Sequence, residues 1–210
     1  MKVIRPFGPS IAKVSIPEDL IKKLNDYLDQ ITLNNEKIKL QDHGNKLAGN
    51  VSQEFRLEKD FINSCGLEYF LNQNAKEWIK QTVNKEINKF EIIESWIVRQ
   101  FENEYNPLHC HSGHISGAGF LKVPKNLGEH SQKENKKEQD YFGGNLNLIH
   151  GSKMFLSESS MFIKPVVGDF YFFPHYLMHS VYPFKGTEEE RRSISFNATI
   201  DEDIFNVFKD

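Results

Sequence analysis

Apolar positions recur with helical spacing in the first part of the chain and with strand-like spacing after about residue 90. Behind Pro17, the residues Leu20, Ile21, Leu24, Tyr27, Leu28 and Ile31 fall on one face of a helix. A second helix is expected from about Leu67 to Ile87, carrying Leu67, Phe70, Leu71, Trp78, Ile79 and Val83. The intervening residues 34–60 are polar, with Gly44 and Gly49 as turn signals, and predict irregular chain. From Phe90 the pattern changes: residues 91–101 are dense in β-branched and aromatic side chains, as a strand requires. Asn103 to Pro107 turns the chain, and short strands are expected at 115–123, 145–150, 161–166, 169–173, 179–182 and 193–200, with another around His109. Strands this short and this closely spaced predict a sandwich or jelly roll. The expected fold is mainly β with N-terminal helices, in one domain spanning 1–210. Residues 1–89 would form a helical part packed on the β half, residues 90–210. The polar run Lys125 to Asp140 predicts a solvated loop, with a mobile lid over a site mouth as the sharper reading.

Composition narrows the function classes. The 210 residues suffice for a single sizeable core. A formal charge of −3 offers no electrostatic pull toward nucleic acid. Two cysteines, Cys65 and Cys110, argue against a disulfide framework and fit a reducing compartment. No apolar run is long enough for a signal peptide at the N-terminus or for a membrane span, so the chain reads as soluble and cytoplasmic.

The chemistry lies in the histidines. In His109-Cys110-His111, strand alternation sends both imidazoles to one face and Cys110 to the other, where it would be a small buried hydrophobe. His179, in the segment Phe173-Pro174-His175-Tyr176-Leu177-Met178-His179-Ser180-Val181, can supply a third ligand from a distant strand. Three ligands on one face of a metal leave its other positions open, as in non-haem iron oxygenases. His114, after Gly113 in a turn, is the competing ligand, and His175 reads as a turn or rim residue. Trp78 and Trp96 are expected in the core, Gly143-Gly144 at a tight turn into a strand, and Glu188-Glu189-Glu190 in a solvated turn.

From Glu94 to Ala198 the chain resembles the 2-oxoglutarate- and iron(II)-dependent oxygenase superfamily, and within it a bacterial and phage branch related to prolyl hydroxylases. The resemblance rests on the order and spacing of Ser95-Trp96, His109-x-His111, Ser116-Gly117, Gly143-Gly144-Asn145-Leu146, Phe172-Phe173-Pro174…His179-Ser180-Val181 and Arg191-x-Ser193-x-Ser195-Phe196-Asn197. It implies a double-stranded β-helix, a cupin-like jelly roll, with His109, His111 and His179 as iron ligands. It implies 2-oxoglutarate as cosubstrate, chelated through its 2-oxo and C1 carboxylate groups. It also implies dioxygen as oxidant and hydroxylation of a C–H bond, with a peptidyl proline as the first substrate to test.

Most relatives carry H-x-D where this chain has His111. Three neutral imidazoles leave iron(II) its full charge, which a dianionic 2-oxoglutarate would neutralise. Glu102, Glu104 or Asp169 is the alternative carboxylate ligand. For the far carboxylate of the cosubstrate, Arg191 and Arg192 compete. Arg192 shares parity with Ile194 and Phe196 and should face the helices, whereas Arg191 shares parity with Ser193, Ser195 and Asn197 on a polar face. Arg191, helped by the Ser193 hydroxyl, is therefore the expected anchor, because a guanidinium grips a carboxylate with two parallel hydrogen bonds. Two rival functions stay open at this stage. One is a three-histidine cupin-type iron dioxygenase without 2-oxoglutarate, and the other a non-catalytic metal- or small-molecule-binding jelly roll.

Overall fold

A computed structural model describes residues 8–42, 44, 49–128 and 141–208. In chain order the elements are β1 (Ala12–Ser15), α1 (Glu18–Thr32), α2 (Asn35–Gln41), β2 (Gln53–Arg56), α3 (Lys59–Cys65), α4 (Leu67–Val83) and β3 (Phe90–Gln100). They continue with β4 (Asn106–His109), β5 (Ile115–Lys122), β6 (Leu146–Ile149), β7 (Ser160–Ile163), β8 (Asp169–Pro174), β9 (Met178–Val181), β10 (Arg191–Ile200) and α5 (Glu202–Phe205). The strands form a six-stranded sheet, β1-β8-β5-β10-β3-β2, and a four-stranded sheet, β4-β9-β6-β7, with antiparallel pairing throughout. The protein is a jelly roll, mainly β with N-terminal helices.

Two apolar layers follow from the patterning. On α1, Leu20, Leu24, Leu28 and Ile31 are buried at helical spacing, and Pro17 stands at the helix start with Glu18 and Asp19 in the first turn. They join Leu71 and Trp78 of α4 against Ile97, Phe170, Phe172, Ile194 and Phe196 on the outer face of the large sheet. The second layer lies between the sheets, where Phe120, Leu146, Leu148, Ile163, Tyr171 and Phe173 meet. Gly117 sits where β5 passes beneath the outer layer: a Cβ there would lie 2.6 Å from Phe170 and 2.7 Å from Phe196. Those two rings fill the space that any side chain would occupy.

Several elements depart from the sequence expectations, among them α3, which precedes the expected second helix. Residues 34–60 are not irregular throughout, because Asn34 caps α2 through the amides of Glu36 and Lys37, and β2 follows. The second helix ends at Val83, where Asn84 takes a left-handed conformation. The N-terminal part is not purely helical, since β1 pairs with β8 and β2 with β3 at the two edges of the large sheet. A final helical turn, α5, was not anticipated. The strand that carries His109 stops there, so His111 stands in irregular chain, its amide donating to the His175 carbonyl at 3.0 Å. Of the 125–140 loop, residues 129–140 lie outside the described residues. Among the described residues, no helix is long and apolar enough to cross a membrane.

Candidate functional site

The inner face of the large sheet is set by register. Along β10, Arg191, Ser193, Ser195 and Asn197 alternate with Arg192, Ile194 and Phe196, and only the first set lines the cavity between the sheets. Opposite them stand Gln100, Val98, Trp96 and Glu94 of β3. Beyond β3, Glu54 of β2 faces Val98. The cavity is about 280 Å³ and is closed on the other side by His109, Leu146, His179 and Val181 of the small sheet.

Three imidazoles meet at its mouth. His109 and His179 are direct partners across β4 and β9. His111 arrives from the chain beyond β4, and one ligand atom from each ring can be chosen so that all lie within 4.8 Å of one another. The hydrogen bonds behind the rings select those atoms. His109 Nδ1 lies 2.7 Å from the Pro107 carbonyl, and His179 Nδ1 lies 2.9 Å from the Leu177 carbonyl. His111 Nδ1 lies 2.7 Å from Asn197 Oδ1 and 3.1 Å from Ser116 Oγ. Carbonyl oxygens only accept, so each Nδ1 carries the proton and each Nε2 keeps a lone pair. Burial, and next the neighbouring His109, lower the His111 pKa to about 4. Burial, then His109 and His111, lower that of His179 to about 3. Both rings are thus neutral near pH 7, the state in which an imidazole binds a metal. Neutral nitrogen donors suit iron(II), so the residues present fit that ion.

Arg191 is buried at 2% exposure. Its Nε donates to the Gly144 carbonyl at 2.9 Å, its Nη1 to Ser193 Oγ at 3.3 Å, and its guanidinium lies 5.1 Å from the Phe120 ring centre. Gly144, at φ +74°, supplies that carbonyl from a left-handed turn that favours glycine. Burial alone lowers the Arg191 pKa to about 10, which leaves it cationic at neutral pH with no carboxylate beside it among the described residues. Arg192 points the other way. Its guanidinium donates to Asn25 Oδ1 at 2.9 Å and Asp29 Oδ1 at 2.7 Å on α1, and to Glu190 Oε1 at 2.8 Å.

The structure separates the other sequence candidates from the three histidines. The His114 ring stacks on Phe205, accepts from the Ile200 amide, and lies outside the cavity. His175 Nδ1 lies 3.1 Å from the His114 carbonyl. Glu102 accepts from the Gly186 amide, Glu104 from the Ser52 and Phe101 amides, and Asp169 pairs with Lys13. None of the three joins the histidine group.

Two expectations fail, and a third holds with an addition. Cys110 is exposed, because the chain leaves strand geometry after His109. Trp96 is buried as expected and also faces the cavity, its ring centre 5.4 Å from that of His111. Glu190 is not in a solvated turn: it is 5% exposed and accepts from both Arg99 and Arg192.

The sequence places Asn197 on the polar face of Arg191 but points to no contact with a histidine, and it gives Glu54, Glu94 and Ser116 no individual role. The parity of Asn197 with Arg191 was a usable signal, whereas nothing in the pattern around Glu54 marks it. Glu54 is 1% exposed, and burial, then the Asp42 carboxylate, raise its pKa to about 7.

Residues 94–197, about half of the chain, match the family described as "Putative 2OG-Fe(II) oxygenase". A search of curated protein sequences finds no match. Among solved structures, a prolyl-4-hydroxylase of Pseudomonas putida is similar with a TM-score of 0.57 at 13% identity, over 89% of this chain and 91% of that one. A Trichoplax adhaerens prolyl hydroxylase, in complex with a hypoxia inducible factor peptide fragment, is similar with a TM-score of 0.53 at 12% identity, over 95% and 87%. The α-ketoglutarate-dependent epimerase SnoN of nogalamycin biosynthesis is similar with a TM-score of 0.59 at 14% identity, over 90% and 76%. The matched segment contains every histidine of the cluster and the whole Arg191–Asn197 face, and the chain belongs to the 2-oxoglutarate- and iron(II)-dependent oxygenases, enzymes that spend 2-oxoglutarate and dioxygen on oxidising a substrate.

Proposed function

We propose that residues 1–210 act as one oxygenase domain in which His109, His111 and His179 hold the iron. In this reading Arg191 and Ser193 anchor the far carboxylate of 2-oxoglutarate, and the substrate hydroxylated is a peptidyl proline. The observation that carries the site assignment is the convergence of these groups on one cavity: three imidazoles with their Nδ1 positions engaged, and a buried guanidinium without a carboxylate beside it among the described residues. The single-domain reading is supported by β1 and β2, which complete the sheet that carries Arg191.

Iron(II) bound there supplies the activation of dioxygen, coupled to decarboxylation of 2-oxoglutarate. The chain's own contribution is positioning and shielding. Arg191 offers a charge that a carboxylate can neutralise without water competing, and its bond to Gly144 fixes the guanidinium plane. Ser193 Oγ, which accepts from Arg191 Nη1, can direct its own hydroxyl proton to the same carboxylate. Val98, Leu146, Phe173 and Val181 wall the cavity against bulk water. Three neutral ligands leave the charge of the metal to be balanced by the dianionic cosubstrate, so the site is built to accept both together.

The prolyl assignment is supported by the likeness in fold to prolyl hydroxylases, one of them with a bound peptide. It is also supported by a groove of about 880 Å³ that shares Glu94 with the cavity and continues past Arg56, Glu58 and Glu91, where an extended chain can lie. The test is succinate release with iron(II), 2-oxoglutarate and oxygen on a proline-containing peptide panel, read beside peptide mass. Proline-dependent succinate and a mass gain of one oxygen atom are expected. Equal succinate from peptides with every proline replaced by alanine would remove the prolyl assignment and leave the oxygenase standing.

A further inference from the structure

Behind His111 lies a chain of hydrogen bonds that ends in a carboxylate. Glu94 of β3 and Asn197 of β10 are direct cross-strand partners, and Ser116 of β5 flanks Asn197 on its other side. Asn197 Nδ2 donates to Glu94 Oε1 at 3.0 Å. Asn197 Oδ1 accepts from Ser116 Oγ at 2.6 Å and lies 2.7 Å from His111 Nδ1. Asn197 is 3% exposed and Ser116 is fully buried, so these two links are shielded from bulk water.

The direction of the chain is forced from its far end. A carboxylate has no proton to give, so Glu94 must face the amide nitrogen of Asn197. The amide oxygen is then turned toward His111, and the imidazole must carry its proton on Nδ1. Without the charge on Glu94, the amide can turn over and present N–H to Nδ1. The imidazole proton then moves to Nε2, the atom that faces the other histidines. Among the described residues no acidic side chain joins the histidine group itself, which makes the nearest carboxylate behind it the more consequential.

We propose that Glu94 is a positioning residue that acts through Asn197 to hold His111 with its Nε2 lone pair aimed at the metal and to place a negative charge behind that ligand. The inference rests on the assignment of His111 as an iron ligand. Partners behind a metal-bound imidazole commonly change metal affinity by about 10–100-fold.

The test uses cobalt(II) and iron(II) as probes, titrated anaerobically into the full chain, with cobalt(II) absorption as a second readout. Glu94→Gln, isosteric with the parent, is expected to weaken both metals by about tenfold or more and to alter the cobalt(II) spectrum. The double variant Glu94→Gln/Asn197→Asp moves the carboxylate one link closer to the imidazole. The carboxylate introduced on β10 can only accept, and the amide introduced on β3 can donate to it. Recovery of affinity to within about threefold of the parent is expected there. A residue needed only for packing would not be rescued in this way. His111→Ala separates the two levels of the argument. If it binds metal like the parent, the ligand assignment fails and the proposal with it. If it loses metal while Glu94→Gln does not, or if the double variant fails to recover, the positioning role of Glu94 is wrong and the ligand assignment stands.

Discussion

Arg191 and Arg192 are neighbours in the chain, and the pleat of β10 places one in the cavity and the other against α1. Arg192 is matched by Asp29 and Glu190, so its charge is already satisfied. Arg191 is buried with no carboxylate partner among the described residues, and a cation kept there is expensive unless an anion arrives to share the site. Arg191→Met keeps the length of the stem and removes the charge and the donors. Affinity for 2-oxoglutarate, measured anaerobically at saturating iron(II), should fall at least about tenfold, since hydrogen bonds to charged groups contribute roughly 1.5–3 kcal/mol each. Metal binding should persist, because Arg191 is not among the histidine donors. Arg192→Met should leave 2-oxoglutarate affinity within about twofold of the parent and cost stability instead. The reverse pattern would mean that the cosubstrate does not lie along β10. This pair was legible from parity alone. Glu94 and Glu54 were not, because their importance depends on which strand lies beside them, and register is not written in a single segment.

At the scale of elements, Glu190 shows what local pattern cannot reveal. It ends a run of three acidic residues that reads as surface, yet it seats between Arg99 of β3 and Arg192 of β10, with Lys122 of β5 at 3.6 Å. Gln53 of β2 also accepts from Arg99, so four strands or strand ends share one polar clasp. Burial pushes the Glu190 carboxyl up, but the Arg192 and Arg99 guanidinia outweigh it and hold its pKa at about 2, below the ordinary 4.5. A carboxylate depressed on folding contributes stability that is present above its unfolded pKa and lost as pH falls through the folded one. Glu190→Gln should therefore cost on the order of 2–3 kcal/mol at pH 7, measured by urea unfolding. The difference from the parent should shrink to less than about half of that at pH 3. A penalty of equal size at both pH values would show that the clasp works through shape and neutral hydrogen bonds. Helix α1 and the long strands β3, β5 and β10 were readable because their runs of apolar and β-branched residues are strong. The edge strands β1 and β2 were not, since each stands among helices and polar chain in the N-terminal part and its place is given by the partner strand.

For the whole molecule, the histidine cluster is also a joint between the sheets. His109 and His179 belong to the four-stranded sheet, while His111 is tied to the six-stranded sheet through Asn197 of β10 and Ser116 of β5. An ion bound by all three fastens one sheet to the other, and a ligand that binds only the folded state stabilises it by mass action. At a free concentration one hundred times its dissociation constant the gain is about 2.7 kcal/mol. In a chain of this size each kcal/mol raises Tm by roughly 2–4 °C, so saturating iron(II) or manganese(II) under anaerobic conditions should raise Tm by roughly 5–10 °C. A chelator should return Tm to its starting value. His179→Ala, which removes one donor and leaves the apolar layers intact, should melt near the metal-free parent and respond little to added metal. A parent whose Tm is indifferent to metal, or a His179→Ala variant that gains as much as the parent, would mean that the three imidazoles do not act on a common ion. The cosubstrate extends the same logic. If 2-oxoglutarate bridges the metal and Arg191, it should add a further rise in Tm only when metal is present, and Arg191→Met should abolish that increment while keeping the one due to the metal.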